Sequence, residues 1–363
     1  MSKLSLYSIF HGNLNYSSID KEMYEHIIDT CYWPLIDIAN DYKFKTGIEF
    51  SSNSLQKISE IDHSFILELQ KLVEKGKYEI ICSSKEQTIF PLIPEPVNRQ
   101  NLTVGKTELE EIFSKKIDTA FVNEQIFSSG LISLYQNSGI KNIITVWEWA
   151  KKIHEHDDDV KFHPSTFLSQ TGEKLDVIWS SFIAYQKFQR YINGDIDKDG
   201  YYSYIIKQKN SSLDTCFPLY ASDMEIFGYK NPVLRLAGDG NEIRRFHEIL
   251  DLVEQDPEIE FLLPSEILKK FQPKESILMN SGKYSILQKK QDKFSIARWA
   301  VCGRDNSSRN SACFQIFKKI NHLKSLEEKN RYDEKLMNQL IDSWGSDFRT
   351  HTTDAKSQEF SKL

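Results

Sequence analysis

The feature that most constrains this chain is an alternation of short apolar runs with stretches of helical periodicity. Several runs are apolar at consecutive positions, as strands buried on both faces are. Strands are predicted at residues 4–10, 46–51, 78–82, 119–122, 142–146, 175–179, 216–221 and 258–263. Strand–helix alternation over about 270 residues predicts a parallel sheet, either barrel-shaped or doubly wound. Seven or eight strands favour a barrel.

Helical periodicity fills the intervals between these runs, at residues 20–38, 54–74, 241–253 and 265–271. After residue 272 the pattern changes: residues 312–344 are helical in period, and a polar tail follows from Thr352. The 363 residues allow two domains or one barrel with an appendage. We expect an α/β barrel in residues 1–272 and a mainly helical region in residues 273–363, ending in a loose polar tail.

Charge and cysteine content narrow the class of protein. The 46 basic and 52 acidic residues give a net charge of −6 with both signs interspersed, which does not favour binding to nucleic acid or to an anionic membrane. No run approaches the roughly 18 apolar residues of a membrane helix, and the N-terminal run is typical of a buried strand rather than a signal peptide. The five cysteines are scattered without a CxxC pair, which favours reduced thiols and a cytoplasmic location.

Four chemically capable side chains directly follow predicted strands: His11, Glu124, Asp223 and Glu225. In a barrel such positions converge on the rim at the carboxyl ends of the strands, where active sites lie. Two converging carboxylates suit glycosidic chemistry, in which one protonates the leaving oxygen and the other attacks the sugar or activates water. The alternative is that these acids cap the helices that follow.

Six segments, in order, resemble motifs of glycoside hydrolase family 57. Phe121-Val122-Asn123-Glu124 is similar to the family's nucleophile motif, and residues 222–228 resemble its Asp-x-Glu-x-Phe-Gly acid/base motif. The other segments are residues 10–11, 33–37 with 51–55, 76–80 with 89–94, and 263–266. The resemblance implies a (β/α)7 barrel followed by a helical region, and retaining chemistry on α-linked sugars. Carried over, Glu124 is the nucleophile and Asp223 the general acid/base.

Within these motifs His11, Asn13, Gln87, Glu225 and Phe227 are candidate substrate-binding residues. The family commonly has a second histidine or glutamine close after the first, where this chain has Gly12 and Asn13, and it often has a histidine in the stretch occupied here by residues 86–88. In the nucleophile motif this chain has Asn123 where the family has a proline, and Phe121 where it has a tryptophan. Both carboxylates are retained, which argues against a dead enzyme, whereas the other changes argue against an ordinary starch amylase.

Two C-terminal segments are dense in residues that bind sugars, since Trp stacks on pyranose faces and Arg and Asp hydrogen-bond hydroxyls. We expect their side chains to face the substrate cleft, so that alanine at Arg349 impairs turnover without unfolding the chain. The candidates are Trp299, Arg304, Trp344, Asp347, Arg349 and His351. The alternative is an Arg–Asp network that fastens the helical region to the barrel.

Three further features suggest ligands only weakly. Asp195-x-Asp197-x-Asp199-Gly200 opens like a calcium loop but has Ile206 where an acid is required, which favours a solvated turn. The polar run with His154, His156, Asp157–Asp159 and His163 is more typical of a surface charge cluster than of a metal site. Residues 238–241 form a flexible turn and helix cap without a phosphate-loop lysine. No metal and no cofactor is expected.

The first functional hypothesis is a retaining glycosidase or transglycosylase acting on an α-linked oligosaccharide or polysaccharide. A non-catalytic carbohydrate-binding protein on the same barrel is the second, and a metal-dependent deacetylase or mannosidase-like enzyme the third. The glycan, its linkage, hydrolysis versus transfer, and the oligomeric state stay open at this point.

Overall fold

A computed structural model describes residues 2–148, 158–210, 212–229, 239–279, 286–287, 296–325, 332–350 and 352–363. Within these residues ten strands form one sheet and two form a small separate one. The strands are β1 Leu4–Gly12, β2 Thr46–Phe50, β3 Tyr78–Cys82, β4 Thr119–Phe121, β5 Phe127–Ser128, β6 Asn142–Val146, β7 Ser165–Leu168, β8 Lys174–Ser180, β9 Thr215–Asp223, β10 Ile259–Phe261, β11 Glu275–Leu278 and β12 Ile286–Leu287. All eight predicted strands are present, within three residues at each end.

Seven parallel strands make the barrel wall, in the order β9-β1-β2-β3-β4-β6-β8. The end strands β8 and β9 contact each other, and the Tyr7 hydroxyl on β1 donates to the carbonyl of Trp179 on β8. Three strands extend the sheet beyond the barrel: β10 pairs with the start of β1, β7 runs antiparallel to β8, and β11 pairs with β7. The predicted barrel is therefore confirmed, as an open (β/α)7-type barrel within a larger mixed sheet.

Alternating side chains divide the core into two parts, because successive residues of a strand point to opposite faces. Tyr7, Ile9, Ile81, Ile144 and Ile178 fill the inside of the barrel. A larger apolar cluster lies between the sheet and its surrounding helices. Since both faces are covered, the barrel strands are apolar at consecutive positions, as the sequence indicated.

The helices lie mostly between consecutive strands. They are α1 Tyr24–Ile27, α2 Trp33–Asp41, α3 Ser52–Ile61, α4 His63–Glu74, α5 Glu95–Phe113, α6 Leu131–Asn137, α7 Phe182–Ile192, α8 Lys198–Ile206, α9 Glu242–Gln255, α10 Pro264–Lys270, α11 Ala297–Ala300, α12 Asn306–Ser325, α13 Tyr332–Ser343 and α14 Asp354–Phe360. The helix predicted over residues 54–74 is two helices, because the Asp62 carboxylate accepts the Ser64 and Phe65 amides and starts α4. Similarly, Asp197 of the calcium-like segment accepts the Gly200 amide as the N-cap of α8.

The C-terminal helices α12 and α13 pack on each other, and α13 also packs on the barrel helix α5. Val97 from the barrel side joins Phe317, Ile341 and Trp344 in one buried cluster. The division predicted at residue 272 stays a prediction, since β11, which lies beyond it, still belongs to the large sheet.

The tail differs from the loose segment that was expected. Residues from Asp354 form α14, whose N-cap Thr353 accepts the Lys356 amide. The Lys356 side chain is buried, and its ammonium lies 3.4 Å from the Tyr24 hydroxyl. A lysine can bury its long aliphatic stem while its charge finds a polar partner, which a hydropathy pattern does not reveal.

Two of the remaining sequence features fall partly outside the described residues, namely His154, His156 and Asp157, and Gly238. The described part of the chain contains no cluster of three His, Cys, Asp or Glu side chains suited to a metal ion. No helix of the described segments is both long and apolar enough to cross a membrane.

Candidate active site

The carboxyl ends of the barrel strands surround a cleft with about 560 Å³ of empty space, part of it open to solvent. His11 from β1, Asp223 from β9 and Glu124 from the turn after β4 all line this cleft. Gln87, Phe121, Asn123, Gln125, Val146, Phe182, Tyr185, Ala221 and Ser222 complete its lining. Thus three of the four strand-end candidates meet, although Glu124 and Asp223 are about 100 residues apart in sequence.

His11 lies in a row of three residues across neighbouring strands. In the β1–β2 register it is opposite Glu49, and in the β1–β9 register it is opposite Asp223. Its Nδ1 contacts the carboxylate of Glu49, which is fully buried. Burial lowers the pKa of His11, but the charge and hydrogen bond of Glu49, with smaller contributions from Asp223 and Glu225, raise it to about 10. The row therefore favours a protonated imidazole at the edge of the cleft.

Glu124 lies in a strained turn. Its backbone has φ 51° and that of Gln125 has φ 57°, in the left-handed region that residues with a side chain rarely adopt. The buried Asn123 holds the turn, since its Oδ1 accepts the Ser83 hydroxyl at 3.0 Å. The Gln125 side chain also donates to the Val122 carbonyl at 3.1 Å. Such strain concentrates at functional sites, and here it directs a half-buried carboxylate into the cleft.

Asp223 ends β9 with an exposed side chain, whereas its neighbour Glu225 is buried. The Glu225 carboxylate accepts the Asn13 backbone amide at 2.9 Å and the Tyr32 hydroxyl at 2.6 Å. Burial raises the pKa of Glu225, and the negative charge of Asp223 raises it further. Glu225 therefore supports the loop after β1, and it is not among the residues that line the cleft.

Two amide side chains join the barrel to the C-terminal region. Asn13 Nδ2 donates to Gln87 Oε1 at 3.2 Å and to Asp347 Oδ2 at 2.9 Å. Gln87 Nε2 in turn lies 3.0 Å from Nε2 of His11. Burial raises the pKa of Asp347 to about 7, and the charges of Glu86 and Glu124 act in the same direction. Through Asn13 and Gln87, Asp347 is joined to His11 at the edge of the cleft.

The first half of the chain matches a family model, that of glycosyl hydrolase family 57, over residues 9–177. This segment contains Glu124 and four of the six resembling motifs. Residues 9–177 belong to glycosyl hydrolase family 57.

Individual relatives of the chain agree with this match. An alpha-amylase from Pyrococcus abyssi is 22% identical over 289 residues, which are 79% of this chain and 40% of the amylase. The chain thus spans less than half the length of the curated relatives it matches. Among solved structures, the GH57-type branching enzyme from Pyrococcus horikoshii superposes with a TM-score of 0.74 at 13% identity, covering all of this chain and 87% of that one. The 4-alpha-glucanotransferase from Thermococcus litoralis gives 0.67 at 16% identity, covering 88% and 47%.

Most of the C-terminal candidates lie away from the cleft. Trp299 is 0% exposed and Trp344 is 3% exposed, so neither can stack on a sugar, and the prediction that they face the cleft is wrong. Arg349 is buried too, and its guanidinium donates to the Ser343 and Gly345 carbonyls at 2.9 and 3.0 Å. These bonds, like the one from Arg349 Nε to Asn310 Oδ1 at 2.7 Å, join parts of the C-terminal region to one another. They include neither an aspartate nor a barrel residue, so they do not form the Arg–Asp network that was the alternative.

Of the other candidates, Arg304 is exposed and pairs with Asp354 at 2.6 Å, at the surface of the C-terminal region. Phe227 is 2% exposed and stacks on Phe246 in the core between the sheet and its helices, so it does not face the cleft. Asp347, by contrast, accepts from Asn13, whose side chain also donates to Gln87 in the cleft lining. His351 lies outside the described residues.

Sequence reasoning missed several residues of the site. Glu49 belongs to none of the sequence motifs. Its place in the site is visible only in the sheet, where it lies opposite His11. Tyr16 lies among the acids: burial raises its pKa, and so do the charges of Asp223 and Glu124. Phe182 and Tyr185 begin α7 after the predicted strand at residues 175–179, and this strand-end placement was a signal that could have found them.

Proposed function

We propose that this protein is a retaining glycoside hydrolase or transglycosylase acting on α-linked oligosaccharides or polysaccharides, with glucans as the first substrates to test. The observation that carries the proposal is that Glu124 and Asp223 follow two different barrel strands and line one cleft. Family membership over residues 9–177 supports the class of reaction. The activities for which the relatives are named, amylase, glucanotransferase and branching enzyme, support α-glucans as substrates.

In the proposed mechanism, the Glu124 carboxylate attacks the anomeric carbon while Asp223 donates its proton to the leaving glycosidic oxygen. The bond to the leaving sugar breaks as the bond to Glu124 forms. In the second step Asp223, now a carboxylate, takes a proton from the incoming hydroxyl, which attacks the anomeric carbon and releases Glu124. Water as the incoming group gives hydrolysis, and a sugar hydroxyl gives transfer.

The surroundings of the two acids suit these roles. Glu124 is half-buried and fixed by a strained turn, which suits a nucleophile that must keep one position. Asp223 is more exposed, which gives an incoming water or sugar hydroxyl access to it. Phe121, stacked on His11 with 6.2 Å between ring centroids, and the Phe182–Tyr185 pair supply aromatic surface on the cleft wall.

The proposal is tested with Glu124→Gln and Asp223→Asn on a malto-oligosaccharide and on α-glucosyl fluoride. Each change should lower kcat/KM on the oligosaccharide at least about 10³-fold. Fluoride leaves without protonation, so Asp223→Asn should still form a glycosyl–Glu124 adduct, visible as an intact-mass increase. Glu111→Gln, an exposed glutamate on α5, is the matched control and should behave as wild type.

Added azide separates the two roles further. With Asp223→Ala it should yield an α-glucosyl azide by attack on the adduct, and with Glu124→Ala a β-glucosyl azide by direct attack. Wild-type turnover by Glu124→Gln would overturn the assignment. Saccharide binding without turnover by the wild type would instead indicate the carbohydrate-binding alternative.

We also propose a cytoplasmic location. All five cysteines are free, and four of them are buried, which is typical of proteins kept in a reducing compartment. Fractionation of cells that express the native protein tests this, and recovery in the secreted fraction would overturn it.

A further inference from the structure

The buried carboxylate of Glu49 has no part in the mechanism above. It lies in the barrel strand β2 and is 0% exposed. Its Oε2 contacts His11 Nδ1, and its Oε1 has no hydrogen-bond partner among the described residues. An ionised carboxylate inside a protein is costly unless a positive charge compensates it. The ring of His11 is the group in contact that can supply this charge.

The sheet register keeps the two side chains together. Glu49 and His11 are opposite each other on neighbouring parallel strands, so their contact depends on the barrel and not on a loop. Gly12 follows His11 where a Cβ would lie 2.0 Å from the Phe50 ring, so this ring packs directly against the backbone of β1 beside His11. On its other side His11 is opposite Asp223, the proposed acid/base.

We propose that Glu49 is a positioning residue that keeps His11 protonated on both ring nitrogens, so that His11 presents a charged Nε2–H group to the substrate cleft beside Asp223. This inference rests on the proposed function for its role in catalysis. Its structural part, the charge state of His11, holds independently of any turnover.

The charged and polar groups around His11 come from two strands and two loops. Glu49 lies on β2, Asp223 ends β9, and Glu225 follows β9; all three favour the imidazolium. The Gln87 amide lies 3.0 Å from Nε2 and must turn its oxygen towards a protonated ring, so Nε2–H donates to Gln87 until a substrate hydroxyl takes the place of that oxygen. This rotation breaks the hydrogen bond between Asn13 and Gln87, which costs about 1 kcal/mol of stability. Burying a carboxylate without a compensating positive charge costs several kcal/mol, so the protonated ring is still favoured.

A charged donor at this position serves the proposed reaction in a definite way. A hydrogen bond from a cation to a sugar hydroxyl contributes about 1.5–3 kcal/mol, roughly twice that of a neutral donor. The positive charge on His11 also lies between the carboxylates of Glu49 and Asp223. It reduces the repulsion between these two groups across β1. Glu49 acts on the substrate only through His11, and it therefore counts as a positioning residue.

The first test is the protonation state of His11 by NMR on protein labelled with ¹⁵N-histidine. His11→Gln identifies the signal by its loss. In the wild type both ring nitrogens should show protonated shifts at pH 7 and should not titrate below about pH 9. In Glu49→Gln the ring should titrate at or below its ordinary pKa of about 6.5. A singly protonated ring in the wild type at pH 7 overturns the proposal.

Glu79→Gln is the matched control. Glu79 also lies on a barrel strand, β3, and accepts the Ser265 amide at 2.8 Å, with no contact to His11. Its replacement should leave the His11 titration unchanged. A similar change in both variants would mean that any loss of buried charge in the barrel alters His11, which would contradict a specific role of Glu49.

The second test is the pH profile of kcat/KM on a malto-oligosaccharide. In Glu49→Gln the ratio of its kcat/KM to that of the wild type should fall as the pH rises from 5 to 8, because His11 now loses its proton in this range, whereas deprotonation of Asp223 limits both proteins alike. At pH 8 kcat/KM should fall at least about tenfold, and near pH 5 it should approach that of the wild type. A purely structural role predicts an equal loss at every pH. Glu49→Asp, which keeps the charge, should restore part of kcat/KM at pH 8 and serves as the second variant if Glu49→Gln does not fold.

The two failures are distinguishable. If the wild type turns over no glycan, the proposed function fails, but the NMR result still decides the charge of His11. If turnover is normal and its pH profile is the same in Glu49→Gln, the proposed function stands and the role of Glu49 fails.

Discussion

The barrel rim and the C-terminal helical region both contain residues suited to binding sugars, but the structure uses them differently. At the rim, His11, Glu124 and Asp223 line one cleft. In the C-terminal region Trp299, Trp344 and Arg349 are buried.

The difference is one of topology. A residue that directly follows a parallel barrel strand is placed at the rim by the register of the sheet, whatever its side chain. A Trp or Arg in a helical region has no such constraint and usually contributes most by burial. Position relative to the strands is therefore a better guide to the site in this chain than residue type.

The strongest test of this contrast is Arg349→Met. Because the Arg349 guanidinium donates to buried carbonyls of Ser343 and Gly345, its loss leaves acceptors unpaired. We expect a loss of about 3–5 kcal/mol in the free energy of unfolding, measured by urea denaturation, with kcat/KM of the folded protein unchanged. A folded variant of normal stability and impaired turnover would place Arg349 at the cleft after all.

The pH dependence of stability tests Asp347, a residue of the C-terminal region that bonds to Asn13 of the barrel. Its pKa is raised from 3.8 to about 7 in the folded protein, so folding favours the protonated form. The contribution is fully present below the unfolded pKa and is lost as the pH rises towards 7.

Relative to Asp347→Asn, the wild type should lose up to about 4 kcal/mol of stability between pH 4 and pH 7, and no more above pH 8. The measurement is the difference in unfolding free energy at several pH values. A difference independent of pH would contradict the raised pKa of Asp347, and Asp354→Asn, at an exposed position, is the control.

Tyr185 tests whether the aromatic wall of the cleft binds substrate. Its ring lines the cleft and packs edge-on against Phe182, with centroids 5.6 Å apart. Tyr185→Ala should raise KM about 10-fold with a smaller change in kcat, because stacking contributes about 1–2 kcal/mol to binding. Ile183→Ala, on the exposed side of the same helix, should change neither. An unchanged KM in Tyr185→Ala would mean that this aromatic surface does not bind the substrate.

The smallest effect is expected at Arg304, the exposed counterpart of Arg349. Its ion pair with Asp354 joins side chains that are 46% and 85% exposed. Arg304→Ala should change the unfolding free energy by less than about 1 kcal/mol and leave kcat/KM unaltered. If Arg304→Ala lowered the unfolding free energy as much as Arg349→Met does, the difference in exposure would not explain the roles of the two arginines.

The sequence predicted the barrel well because buried parallel strands leave a strong local signal. All eight predicted strands exist, and Glu124 and Asp223 were found by their place after two of them. Strands β5 and β12, of two residues each, carry too little pattern to be seen. The break between helices α3 and α4 at Asp62 was not predicted, because the helical spacing of apolar residues continues on both sides of it.

What could not be predicted depends on contacts between distant segments. Glu49 is one acidic residue in an apolar strand, and its meaning comes from the register with His11. The burial of Phe227 within a matched motif shows a related limit: a motif places the backbone, but it does not decide which side chains of the segment face the ligand.

The left-handed turn at Glu124 and Gln125 has a consequence for protein engineering. Backbone of this kind destabilises a chain by about 1 kcal/mol or more at each non-glycine residue, and glycine relieves it. A selection for thermal tolerance alone would therefore favour glycine at both positions. At Gln125 such a change improves robustness, whereas at Glu124 it removes the proposed nucleophile. Laboratory evolution of this chain should accordingly select for heat resistance and turnover together.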